Sequence, residues 1–194
     1  MQDNGAALGT SQRQDAIGTE VIRSAEMAAN ATAAQAEALV KARFSMAAYR
    51  PRDFGLSRDR LLRACRRPRA ADSFRYRIPR AGTHIEGMTI RFAECAMRAL
   101  GNIDASIVTL FDDESRRVVR CTAVDLETNA SHSKDVTVLK VTERRNLKRG
   151  QSPIGQRTNS TGQTVFIVEA TDDEMMQKEG ALGSKALRTC ILRL

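Results

Sequence analysis

The stretch ASIVTLFDDESRRVVRCTAVDLETNASHSKDVTVLKV, residues 105–141, decides the fold class. Apolar and polar residues alternate over 105–111, 116–126 and 133–141. That period of two turns one face of a strand toward a core and the other toward water. Asp112-Asp113-Glu114-Ser115 and Glu127-Thr128-Asn129 separate the three runs with turn-forming residues. Strands joined this closely pair as antiparallel neighbours, so the reading is a three-stranded meander. Val119, Cys121 and Ala123 share one face of the middle strand, and Thr137, Leu139 and Val141 are expected to cover the matching side of the third.

Toward the C-terminus, residues 143–162 read as a polar connection with Arg144, Arg145, Lys148, Arg149 and Arg157 against Glu143 alone. TVFIV at 164–168 is a short fourth strand. Thr171-Asp172-Asp173-Glu174 is a capping box, which opens a final helix from Asp172 onward. Gly180 and Gly183 within it each cost about 1 kcal/mol relative to alanine, and they mark places where another group approaches closely. The sequence stops inside the apolar run Cys190-Ile191-Leu192, so the ordered region is expected to continue past Leu194.

Toward the N-terminus, residues 88–100 form an amphipathic helix. Ile90, Phe92, Ala93, Ala96, Met97 and Leu100 make its buried face. Arg91, Glu94 and Arg98 make the wet face, spaced to pair along it. Gly101-Asn102 ends it as a left-handed cap. Phe74, Tyr76 and Ile78 alternate with Arg75 and Arg77 in a short strand ending at Pro79, and 57–65 is a short helix. Residues 19–49 are alanine-rich, lack Gly and Pro, and make one long helix ended by Pro51. The fold class is therefore α+β: a meander with packed helices plus a long N-terminal helix. Residues 1–18 are expected to be a disordered polar tail, 19–73 a helical arginine-rich extension, and 74–194 the core domain.

The charge narrows the partners. The net charge is +8, carried by 25 Arg and 6 Lys. Arginine's planar fork grips phosphate oxygens in pairs, whereas lysine acts as a point charge. Eleven arginines and three aspartates fall within 50–80, so that segment alone carries +8. A polyanion is the natural partner. Aromatic residues are few, with no Trp, two Tyr and six Phe, so stacking platforms are scarce. The grip is expected to be electrostatic, on phosphates, with base edges left free to test a complementary strand.

Other chemistries find little support. There is no GxxxxGK[ST], which disfavours an ATP-driven strand exchanger. The only histidines are His84 and His132, and no GxSxG elbow surrounds a serine, so no enzyme is expected. Cys65, Cys95, Cys121 and Cys190 include no CxxC pair, and they read as buried or half-buried free thiols rather than zinc ligands. Asp112-Asp113-Glu114, Asp125 with Glu127, and Asp172-Asp173-Glu174 stand where turns and a helix start call for acids, rather than as a two-metal nuclease site. No cofactor or metal is expected. No run of apolar residues is long enough to span a membrane, and 1–12 lacks a signal pattern, so a cytoplasmic protein is expected.

The block IEGMTIRFAECAMRALGNI (85–103), the three hairpin-linked strands, the basic connection and the closing KEGALGSKALRTCILRL (178–194) resemble the β-β-β-α core of single-strand annealing recombinases. That superfamily includes phage Red-beta, RecT, Erf and the ring-forming annealing protein of eukaryotes. The resemblance covers residues 74–194 and rests mostly on pattern and element order. It implies an ATP-independent DNA-annealing protein of phage recombination, assembled as a homo-oligomeric ring or filament in the bacterial cytoplasm. Its ligands would be single-stranded DNA and the annealed duplex intermediate, with a phage exonuclease and a host single-strand-binding protein as possible partners. It assigns phosphate contacts to Arg75, Arg77 and Arg80 before the first helix, and to Lys185 and Arg188 on the last. Ala186 and Thr189 thin the basic cluster of the closing helix, and Arg144, Arg145, Lys148 and Arg149 are expected to compensate. The alternative reading is a phage structural or assembly protein whose arginine-rich segment docks an acidic surface.

Overall fold

The computed structural model describes residues 6–80, 82–148 and 150–194. The chain divides into two units, Met1–Tyr49 and Arg50–Leu194. In the first, α1 runs from Ala6 to Tyr49 as one helix. The long helix is thus present but starts at Ala6, so residues 6–18 are helical rather than a disordered tail. Ala6, Ala7, Leu8, Gln12 and Arg13 are strong helix formers, and they outweigh the cost of Gly9 and Gly18. Residues 1–5 of the expected tail lie outside the described residues. Met27, Leu39, Val40 and Met46 are exposed along α1.

The second unit runs α2 (Phe54–Cys65), α3 (Pro68–Phe74), β1 (Arg75–Arg80), β2 (Thr83–Met88), α4 (Ile90–Leu100), β3 (Ile103–Asp112), β4 (Arg116–Asp125), β5 (Ser131–Leu139), β6 (Val141–Arg144), β7 (Gly155–Thr158), β8 (Thr164–Glu169) and α5 (Asp172–Ile191). The described residues are therefore α+β, with five helices and three small antiparallel sheets: β1-β2, β3-β4-β5 and β6-β8-β7.

The meander is the one read from 105–141. β4 pairs β3 on one side and β5 on the other, with a bulge between Thr109 and Phe111. Val119, Cys121 and Ala123 are fully buried and face α5, whose Ala186, Cys190 and Ile191 complete the core with Ala93 of α4. The third strand presents the opposite set to the one expected. Val119 pairs Val136 and Arg117 pairs Val138, so Val136 and Val138 point inward while Thr137 and Leu139 face out. Residues directly opposite in a ladder share a face, and that register overrides the hydropathy of either strand alone.

Three further elements depart from the sequence reading. Residues 83–88 form β2, so Met88 ends a strand rather than starting the helix, with Arg80 paired to Thr83 and Gly82 at φ +80°. Phe74 closes helix α3 instead of opening a strand. The polar connection contains β6 and β7, which flank β8 in the third sheet. These strands are four residues long and largely polar, so alternation has too little length to register.

Both helix boundaries with local signals behave as read. Gly101 and Asn102 take φ +68° and +52° at the end of α4. At the start of α5 the Thr171 hydroxyl accepts from the Glu174 N–H and the Glu174 carboxylate accepts from the Thr171 N–H. The row Arg91, Glu94 and Arg98 makes no ion pair among the described residues; Arg91 and Arg98 are exposed and Glu94 is half-buried, and surface pairs of this kind contribute little. All four cysteines are free thiols, Cys121 and Cys190 buried, Cys65 and Cys95 half-buried.

The two glycines of α5 differ. A Cβ at Gly183 would meet Ile107 Cδ1 at 3.3 Å, and the Cys121 thiol donates to the Gly183 carbonyl, so this glycine lets α5 settle on the sheet. At Gly180 nothing lies within 4 Å. Gly180→Ala is therefore expected to stabilise the fold by about 1 kcal/mol through helix propensity alone. A rise in the urea midpoint at unchanged slope checks it, and a fall would show that Gly180 serves a contact.

Candidate nucleic-acid interface

The hairpin β1-β2 places alternate side chains on opposite faces. Tyr76, Ile78 and Arg80 lie on one face of β1, with Gly87 opposite Tyr76 and Ile85 opposite Ile78. A Cβ at Gly87 would lie 2.6 Å from the Tyr76 hydroxyl oxygen, so glycine there is what lets the ring lie flat across β2. This face looks onto α5, which presents Ala181, Ser184, Lys185 and Arg188 at the i, i+3, i+4, i+7 spacing of a single helical stripe. Thr89 and Ile90 at the start of α4 close the floor. The result is a cleft of about 490 Å³.

The corner holding this cleft is well tied. The Thr89 N–H donates to the Phe74 carbonyl at 2.9 Å, and the Thr89 hydroxyl donates to the Ser73 carbonyl at 2.6 Å. Phe74 packs edge-on against Phe92 with ring centroids 5.7 Å apart. Arg188 bridges the walls: its guanidinium donates to the Met88 carbonyl at 3.0 Å and lies 5.2 Å from the centre of the Tyr76 ring. That stacking fixes the cation without consuming its charge.

Among the described residues, Arg80, Lys185 and Arg188 have no carboxylate within ion-pair distance, and no acid lines the cleft. Many other cations are neutralised. Arg120 makes a bidentate pair with Asp135 at 2.7 and 2.8 Å, and Arg157 does the same with Glu143 at 2.8 Å. Arg117 bridges Asp112 and Glu179. The carboxyls of Asp112, Asp135 and Glu143 are held low, Asp112 first by Arg117 and then by Lys140, Asp135 by Arg120, and Glu143 by Arg157.

The nine residues singled out in the sequence therefore separate. Arg80, Lys185 and Arg188 converge on the cleft. Arg75 and Arg77 lie on the opposite face of β1 and share one carboxylate, Glu86, each at 3.2 Å. Arg144 is turned inward, 2.6 Å from Glu174 near the N-terminus of α5. The Glu174 carboxyl is held low, first by the Thr171 N–H and then by Arg144. Glu174 and Arg188 are about 21 Å apart along the helix at 1.5 Å per residue, so Arg144 does not reach the cleft. Arg145 and Lys148 are exposed beyond β6, and Arg149 lies outside the described residues.

Sequence reasoning set Tyr76 and Ile78 on one face of a strand and Ile90 on the apolar face of α4, but it missed β2 and Ile85, and so the cleft that these residues line together. The signal was the glycine at 82 between two short alternating runs, RYRIPR and THIEGM, with Pro79 obscuring the first. The acidic groups do local work. The Asp113 carboxylate accepts from the Ser115 and Arg116 N–H groups at 2.7 Å, and Asp172 to Glu174 open α5. Among the described residues no group of three or more His, Cys, Asp or Glu is placed to hold a metal ion, and no helix is long and apolar enough to cross a membrane. No family model matches the chain, and neither a curated protein nor a solved structure is detectably similar to it.

Proposed function

We propose that this chain binds single-stranded DNA along the cleft between the β1-β2 hairpin and α5, and that it pairs complementary strands without ATP. The observation that carries the reading is the convergence of Arg80, Lys185 and Arg188, none of them neutralised, on a cleft lined by no acid. A phosphate rail is the polyanion that satisfies several cations in a row while leaving base edges available. Annealing needs those edges outside the protein. The resemblance to annealing recombinases adds a homo-oligomeric ring or filament, a place in phage recombination, and an exonuclease and a single-strand-binding protein as co-workers.

The test is a titration of a labelled oligonucleotide at rising salt, with a separate measurement of duplex formation between complementary strands. Binding at low ionic strength that falls with salt, together with faster duplex formation, is the expected result. No binding at low ionic strength overturns the proposal, and binding without faster pairing removes the annealing half.

A second reading has one observation in its favour. Phe54, Leu56 and Leu62 are exposed on α2 among Arg58, Arg60 and Arg63. Apolar anchors set among arginines suit a protein partner with an acidic surface, as in a phage assembly factor. Retention of an acidic protein partner by a chain that ignores oligonucleotides would select it.

A further inference from the structure

We infer that the cleft holds a nucleobase as well as a phosphate, so that one base of the bound strand is drawn inside while its neighbours stay outside. This rests on the single-stranded-DNA reading and adds to it. A purely electrostatic groove has no use for an apolar floor, yet here Ile78, Ile85, Ile90 and Ala181 line the bottom and the three cations stand among them. Ile78 and Ile85 are 55% and 39% exposed and stand opposite each other across the hairpin, so they present apolar surface to the cleft. The ligand that complements this surface is flat and apolar at one end and anionic at the other. A nucleotide has that division, and the cleft's volume lies within the range of about 300–1,000 Å³ typical of small-ligand sites.

The geometry also supplies a stacking surface. Arg188 lies over the Tyr76 ring and also lines the cleft, so its guanidinium is placed to stack on a base, while Lys185 and Arg80 stand ready for the flanking phosphates. Ser184 offers the one hydroxyl of the α5 stripe to a base edge.

The test compares two probes on the full chain at one low salt concentration: an oligothymidylate, and an oligomer with the same number of phosphates but an abasic sugar at every position. The abasic probe is expected to bind about tenfold more weakly, the loss that follows when a stacked base is removed. Ile78→Ser with Ile85→Ser is expected to weaken the oligothymidylate to the level of the abasic probe and to leave the abasic probe unchanged. Lys185→Ala weakens both. Equal affinity of the parent chain for the two probes overturns the inference and leaves the single-strand reading intact. Failure to bind either probe overturns both. The parent comparison decides the matter even where the isoleucine variant fails to fold.

Discussion

Alanine at Arg80, Lys185 and Arg188 together is expected to weaken oligothymidylate binding by about a hundredfold at low ionic strength. The logarithmic salt slope should become shallower by about 2, since each phosphate contact on a single strand contributes about 0.7. The reason is positional. These are the cations that face the cleft without a carboxylate partner among the described residues, so each can release a counterion when a phosphate arrives. Anisotropy titrations over a range of salt concentrations read both quantities. Arg120→Ala serves as the control, because Asp135 already neutralises that guanidinium, and its slope should match the parent chain. A triple variant with the parent slope removes the cleft from the binding surface. The basic stretch beyond β6 is judged by the same measurement: an unchanged slope after alanine at Arg145, Lys148 and Arg149 excludes it.

Arg52→Ala is expected to lower stability by about 3 kcal/mol, the low end for removing one partner of a buried ion pair. Arg52 and Asp125 are each only 7% exposed at the side chain, with 2.6 Å between the guanidinium and the carboxylate. The same guanidinium donates to Glu127, whose carboxylate also accepts from Asn102, and the Asn102 amide donates to the Arg50 carbonyl. The network thus ties the segment before α2 to the end of β4 and to the α4–β3 corner. Without Arg52, Asp125 is a buried charge with only backbone donors. A urea midpoint that drops with its slope unchanged is the expected result, and a shift below about 1 kcal/mol would show that the pair only tolerates its burial.

The network also has a pH signature. Burial pushes the Asp125 carboxyl up, but the Glu127 N–H and then Arg52 outweigh it, and the carboxyl ends below its ordinary value. A carboxyl held lower in the folded than in the unfolded state contributes its full stability above the unfolded value of about 3.9. That contribution is lost as pH falls from there through the folded value. Asp125→Asn should therefore be less stable than the parent at neutral pH, with the difference narrowing below about pH 4.

The sequence by itself determined what depends on local chemistry and on one strand or helix at a time. The meander follows from alternation over 105–141 and its polar turns. The start of α5 follows from Thr171 and Glu174, the end of α4 from Gly101 and Asn102, and the overall basic character from 25 arginines. These are decided by residues within a few positions of each other, so the chain states them openly. The tertiary structure decided which arginines are left without a carboxylate partner. Arg80, Arg120 and Arg144 look alike in sequence, yet of the three only Arg80 lacks an acid within reach among the described residues: Asp135 stands opposite Arg120 across the β4-β5 ladder and Glu174 at the start of α5 meets Arg144, whereas the part of α5 that shares the cleft with Arg80 offers Ala181, Ser184, Lys185 and Arg188. The inward face of β5 and the apolar floor beneath Tyr76 were settled the same way. Each depends on which residue stands opposite across a ladder or across a cleft, and pairing between distant segments is a property of the folded chain.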